Sequence, residues 1–258
     1  MRGAWLIARS VLVEAVRRRE VYAVVLVSLV LIGAVMTVDF FNIEGLSKFY
    51  REVALKIMSV ATAFTVIVLA ARQLPREFES RTIYPLLAKP VSRTSFLAGK
   101  LLGVMLAAAF CFLLFMGIFL VGSAYLHLKT QWALFGQYVY LQMLQMLVLA
   151  TLAFWLSMVM NLDAAITLSC VFYVTSSVIL SASTYIYDLV PQYAKALLLG
   201  AIYLLPQLDL FDLSEKAVHA EVWPPLPASV MGALTLYGIA FASVYFLISL
   251  RLFARKPL

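Results

Sequence analysis

Side chains that could do covalent or metal chemistry are few in this chain and far apart. The two histidines, His127 and His219, stand in separate polar stretches, and the two cysteines, Cys111 and Cys170, lie inside long apolar runs. Small polarizable thiols in such runs read as packing residues. A metal site or disulfide would need facing partners that the sequence does not supply. Met143 and Met146 share a helical face and read as flexible core filling. An enzyme working inside a membrane would need a nucleophile or a convergent His, Asp and Glu cluster at depth, and none is spelled out. The chemistry that is concentrated here is ionic. Phe78 to Lys100, FESRTIYPLLAKPVSRTSFLAGK, is a polar insert between two apolar runs. In and beside it, Arg72, Arg76, Arg81, Lys89, Arg93 and Lys100 stand against Glu77 and Glu79, for a net charge of +4. Charges of both signs on a short segment suit docking to a partner better than catalysis.

The elements that position this insert follow from composition. Of 258 residues, 64% are hydrophobic and 13% charged, about half the charge of a soluble domain. Apolar runs such as Val21–Val38 and Leu101–Val121 are long enough to cross a bilayer as helices. No alternating pattern of a β-barrel is present. The expectation is an all-α integral membrane protein, a single transmembrane domain over 1–258, with six spans near 21–38, 53–71, 96–122, 138–160, 164–187 and 228–250. With the N-terminus inside, fourteen basic residues fall on the inner side and six on the outer. This bias predicts a multi-pass protein of the cell inner (plasma) membrane with both termini cytoplasmic. It also accounts for the formal net charge of +7 without any nucleic-acid partner. The N-terminus does not read as a cleaved signal, because its apolar run begins only after Arg17-Arg18-Arg19 and is too long.

Three segments outside the spans have their own character. Residues 1–20 predict an amphipathic interfacial helix, with Trp5, Ala8, Leu12, Ala15 and Val16 on one face and Arg2, Arg9, Glu14 and Arg17 on the other. Leu6 and Val13 fall off the apolar face. Residues 72–95 predict a cytosolic elbow of short helices. Pro75 is suited to open a helix, Pro85 and Pro90 limit its length, and Ser92 or Thr94 can cap the helix that continues into the third span. Lys100 lies where its stem can snorkel to the headgroups. Residues 188–227 predict an extracytoplasmic re-entrant or surface-lying region. Within it, Tyr193–Pro206 is apolar but too short to span, and a polar stretch ends in prolines.

Small polar residues mark two spans. Ser169, Ser176 and Ser183 recur every seven residues in the fifth, and Ser59 and Thr62 stand in the second. Such stripes let helices approach closely. Packing or pairing with a second copy is one use, and a polar substrate path is the other. The chain cannot bind ATP through a P-loop of its own, since Gly99-Lys100 is followed by Leu101 and position 94 is Thr rather than Gly.

The insert resembles the signature of ABC-2 type transporter permeases. The matching positions are Glu79, Thr82, Ile83, Leu86, Leu87, Ala88, Lys89, Pro90, Val91, Ser92, Arg93, Gly99 and Lys100, with Arg81 where many members carry glycine. Tyr203–His219, YLLPQLDLFDLSEKAVH, is similar to the pattern before the last span of that family. The resemblance implies a permease subunit of an ATP-driven transporter, an exporter, paired as a homodimer and docked on separate ATP-binding subunits that hold ATP and Mg. It implies no enzyme activity and no cofactor on this chain. The elbow then serves as the coupling helix, with Glu77, Glu79, Arg81, Thr82, Pro90 and Arg93 as coupling residues. It also places the second and fifth spans near the subunit interface. Two other readings use parts of the same sequence. A non-transporting membrane anchor of an ATPase complex would share the elbow. An ion-coupled secondary transporter predicts midplane carboxylates and an internal repeat, neither of which is evident.

Overall fold

A helix that is apolar on every side has nowhere to stand but the middle of a bundle or a bilayer, and Trp132–Val159 is such a helix. In the computed structural model it is buried along most of its length and is touched by four other long helices. The structure describes residues 2–17, scattered positions between 22 and 33, and 43–79, 92–125, 131–186, 191, 195, 206–218 and 223–255. Their regular structure is entirely helical: α1 (Arg2–Val16), α2 (Ile43–Glu79), α3 (Arg93–Tyr125), α4 (Trp132–Val159), α5 (Leu162–Ile186), a 3-10 turn at Leu208–Phe211, α6 (Ser214–Val218) and α7 (Ala228–Arg255). The central α4 packs on α2, α3, α5 and α7, while α1 lies along α3.

Among the described residues, four helices are long and apolar enough to cross a membrane: Phe49–Pro75 within α2, then α3, α4 and α7. They coincide with the second, third, fourth and sixth expected spans. The fifth expected span is a helix of 25 residues, and its Leu162–Ser176 portion is a shorter apolar helix. The first expected span lies largely outside the described residues. Polarity is distributed inside out. Leu236, Ile239, Val244 and Leu247 of α7 and Leu102, Leu113 and Val121 of α3 are exposed, whereas Gln142, Gln145, Ser59, Thr62, Ser169 and Ser249 are buried. Helices surrounded by hydrocarbon gain nothing from burying apolar side chains against each other. They are held instead by close packing and by polar groups turned inward.

Two glycines show how close that packing is. A Cβ at Gly103 of α3 would stand 2.5 Å from Val11 Cβ and 2.9 Å from the Ala8 carbonyl oxygen of α1. A Cβ at Gly238 of α7 would stand 2.6 Å from Leu144 Cγ of α4. Each glycine removes the atom that would hold its two helices apart. Against Gly103, α1 turns Ala8, Val11 and Ala15 inward and leaves Trp5, Leu6 and Val13 exposed. The face of α1 that packs on α3 is thus a narrow one of small residues, Ala8, Val11 and Ala15. The cause is α3, whose glycine accepts only the small side of α1.

Candidate functional site

The ionic insert joins the end of α2 to the start of α3. The expected new helix at Pro75 is not formed, because α2 runs through Pro75 to Glu79 as one helix of 37 residues. An internal proline loses one helix hydrogen bond. The buried row Leu69, Ala70, Ala71 and Leu74 packs the turn before it, and the helix continues past the proline. Glu77 and Glu79 lie in its last turn, with side chains outside the described residues. Arg81, Thr82 and Pro90 also lie outside the described residues.

The exit from the insert is described, and it is anchored. Ser92 caps α3: its hydroxyl accepts a hydrogen bond from the Ser95 amide at 3.2 Å and lies 3.0 Å from the Thr94 hydroxyl. Arg93 then reaches across to the last turn of α7. Its guanidinium donates to the Ala254 carbonyl at 2.6 Å and to the Phe253 carbonyl at 3.4 Å. A cation on the terminal carbonyls of a helix satisfies acceptors with no partner in their own helix and complements the helix dipole. Phe96 stacks on Phe253 with ring centres 5.8 Å apart, one turn further on. Lys100 does not snorkel. It is 5% exposed, donates to Gln73 Oε1 of α2 at 3.2 Å and lies 5.8 Å from the centre of the Phe96 ring. An amide dipole and a ring face at the point of entry draw the ammonium inward. Both helices that carry the insert are thus tied to each other through Gln73 and Lys100, and α3 is tied to α7 through Arg93.

A buried polar network occupies the other half of the bundle. Ser59 of α2 lies 2.8 Å from the Tyr138 hydroxyl of α4 and donates to Gln142 Oε1 at 3.4 Å. Gln142 donates to Gln145 at 2.8 Å, and Gln145 donates to the Leu208 carbonyl at 3.0 Å. Ser176 of α5 accepts from the Leu208 amide at 2.6 Å and donates to the Pro206 carbonyl at 3.3 Å. Tyr237 of α7 accepts from the Gln207 amide at 2.9 Å. Three helices therefore supply the backbone of the 206–208 turn with hydrogen bonds that it cannot make to itself. Gln137 does the same for the entry to α7, donating to the Leu226 carbonyl at 2.9 Å and accepting from the Leu226 amide at 2.8 Å.

The ionic part of this half lies where α2 meets the 206–218 segment. Lys56 Nζ is 2.9 Å from Asp212 Oδ2, and Asp212 Oδ1 accepts from the Ser214 amide at 2.9 Å, opening α6. Asp209 stands beside the pair. Burial holds its carboxyl above the usual carboxylate range, the Asp212 charge adds to that, and Lys56 works against it.

Of the small polar residues marked in the spans, Ser59 and Ser176 are brought into the network. Thr62 and Ser169 are buried and bonded to their own helices, at the Met58 and Ala165 carbonyls. The Ser183 side chain lies outside the described residues. Sequence reasoning missed Gln142 and Gln145, although amides three apart in an apolar span were a readable signal of a buried network. It also missed the partnership of Lys56 with Asp212, for which spacing carries no signal. Replacing Gln145 by Leu is expected to remove the bond to the Leu208 carbonyl and to leave the Gln142 amide unpaired, at about 1–3 kcal/mol for the buried amide. Thermal unfolding of the purified chain should shift down by several degrees, and protease cleavage within 206–218 should speed up. Unchanged cleavage would show that the turn is held without α4.

Comparison with known proteins adds one finding. No curated protein matches the sequence. A family model described as ABC-2 family transporter protein matches residues 5–258, which takes in the charged insert, the anchoring Arg93 and the polar network alike. By that match over nearly its whole length, the chain belongs to the ABC-2 family of transporter membrane proteins.

Proposed function

We propose that this chain is the permease subunit of an ATP-driven exporter, that two copies pair in the inner membrane with both termini in the cytoplasm, and that ATP and Mg bind on a separate ATP-binding subunit. The family match over residues 5–258 carries this reading. The anchored exit of the insert supports its mechanical part. A partner that displaces residues 76–91 moves α3 at Ser92 and, through Arg93, the end of α7 as well. Glu77, Glu79, Arg81, Thr82 and Pro90 are the proposed docking set. Arg93 is a positioning residue, since its guanidinium is engaged within the chain.

In this reading the 206–218 segment is part of an outer re-entrant region and α1 is an interfacial helix on α3. Ser59, Thr62, Ser169 and Ser176 are buried within one copy, so they hold α2, α4 and α5 in place. The pairing surface is then the exposed face that includes Val60 and Phe64 of α2 and Val174 and Val178 of α5. The test is capture of the tagged chain from its native membranes in mild detergent. The expected result is co-purification of a P-loop ATPase in equal amount, with vanadate-sensitive ATP hydrolysis. A chain recovered without an ATPase overturns the reading.

A further inference from the structure

The Lys56–Asp212 pair forms the rim of a cavity of about 250 Å³ between α2 and α5. Away from these charges its wall is mostly apolar, with Gln145 and Tyr173 as the polar exceptions. Val60 and Phe64 follow Lys56 at intervals of four residues, so they descend one helical face by about 6 Å at each step. Val174 of α5 faces them across the cavity. Val60, Phe64 and Val174 are also about half exposed on the flank of the bundle, the face proposed to meet the second copy, so the cavity opens toward that copy as well as at its rim. The cavity lies just under the usual volume of sites for drug-sized molecules, roughly 300–1,000 Å³. That volume suits one narrow chain with its head.

Charge chooses the head. The rim holds one cation and two carboxylates, Lys56 against Asp209 and Asp212. Lys56 contacts Asp212 directly at 2.9 Å and cannot balance both carboxylates. The Asp209 carboxylate forms no ion pair or side-chain hydrogen bond with another described residue, although it lines the cavity. The rim therefore carries an unspent negative charge above an apolar slot. Among amphiphiles, that arrangement attracts a cationic head and repels an anionic one.

We propose that this cavity is a binding site for single-chain amphiphiles with an ammonium head, the head at Asp209 and the chain along Val60, Phe64 and Val174. The proposal names a substrate class for the exporter and rests on that reading, but binding is measured without ATP or a partner subunit. A single-chain lysolipid with an amine head and an added alkylammonium compound share this chemistry, and the assay separates them.

Cys170 lines the same cavity and can report its occupancy. The full chain carrying Cys111→Ala is placed in nanodiscs of phosphatidylglycerol, and N-ethylmaleimide labelling of Cys170 is timed. Dodecyltrimethylammonium is expected to slow labelling at least about fivefold, and dodecyl sulfate at the same concentration to leave it unchanged. Asp209→Asn should raise the half-protecting concentration about tenfold, as loss of one charged contact of about 1.4 kcal/mol predicts. Asp209→Glu should restore protection. Val60→Trp, which fills the slot and leaves the rim charges in place, should abolish it. Equal protection by both detergents, none by either, or no change on Asp209→Asn overturns the proposal. Discs containing lysophosphatidylethanolamine identify the source. Protection before any addition assigns the site to a membrane lipid, and protection only after addition assigns it to the soluble amphiphile. Failure of protection in a chain that still co-purifies with its ATPase removes this site alone. Protection in a chain that binds no ATPase removes the exporter and leaves the site.

Discussion

Arg93→Glu is expected to uncouple the complex while leaving the chain inserted. The substitution removes a guanidinium that donates to Ala254 at 2.6 Å and Phe253 at 3.4 Å. It also sets a carboxylate against the negative end of α7. Loss of the charged hydrogen bonds and reversal at the helix terminus together cost about 2–4 kcal/mol, concentrated where α3 leaves the insert. The bundle keeps its other ties, because Phe96 still stacks on Phe253 and Lys100 still reaches Gln73. The expected result is normal membrane yield and ATPase co-purification, with permease-dependent stimulation of ATP hydrolysis down by more than about tenfold. Arg93→Lys should recover part of the stimulation, since an ammonium can replace one of the two contacts but lacks the planar fork. Charge reversal at Glu79 provides the contrast. Glu79 belongs to the proposed docking set, so Glu79→Arg should reduce ATPase recovery itself. If Arg93→Glu also releases the ATPase, Arg93 docks the partner rather than positioning α3. If stimulation survives Arg93→Glu, the tie to α7 plays no part in coupling.

The contrast between these two residues shows what the sequence could convey. Both belong to one charged stretch, and composition places both beside the third span. The Ser92 cap is equally local, since it needs only the residues that follow it. Whether a charge faces a partner or its own chain depends on a contact 161 residues away, and no periodicity records that. The same limit hides the Lys56–Asp212 pair, 156 residues apart, and the bond from Gln145 to Leu208, 63 residues apart. The positions of four spans were legible because lipid demands long apolar runs. The inward turn of Lys100 was not, because it depends on Gln73 and Phe96 standing together at one level of the bundle. Pro75 misled for a related reason. Its own chemistry favours a helix start, while the buried residues before it continue the helix already begun.

Gly103 makes the second large prediction, and its own helix supplies the control. Alanine in place of glycine favours a helix by about 1 kcal/mol when the site is open. Gly117, fourteen residues further along α3, has nothing within 4 Å of an added Cβ. Gly117→Ala should therefore leave the unfolding temperature unchanged or raise it slightly. At Gly103 the same methyl would meet Val11 Cβ at 2.5 Å and the Ala8 carbonyl oxygen at 2.9 Å. One of these is backbone and the other is bound directly to it, so no rotamer change relieves the clash. The whole of α1 must move. Overpacking of this kind costs about 1–3 kcal/mol, and Gly103→Val should sit at the upper end of that range. Because α1 rests on α3 through Ala8, Val11 and Ala15, its displacement should expose all three together. Cysteines placed at Ala8 and Ala15 on the Gly103→Val background should then label faster, and at similar rates, than on the native background. Fast labelling at Ala8 alone would mean that α1 bends rather than lifts. Equal thermal shifts for Gly103→Ala and Gly117→Ala would mean that α1 does not pack against α3 in the membrane.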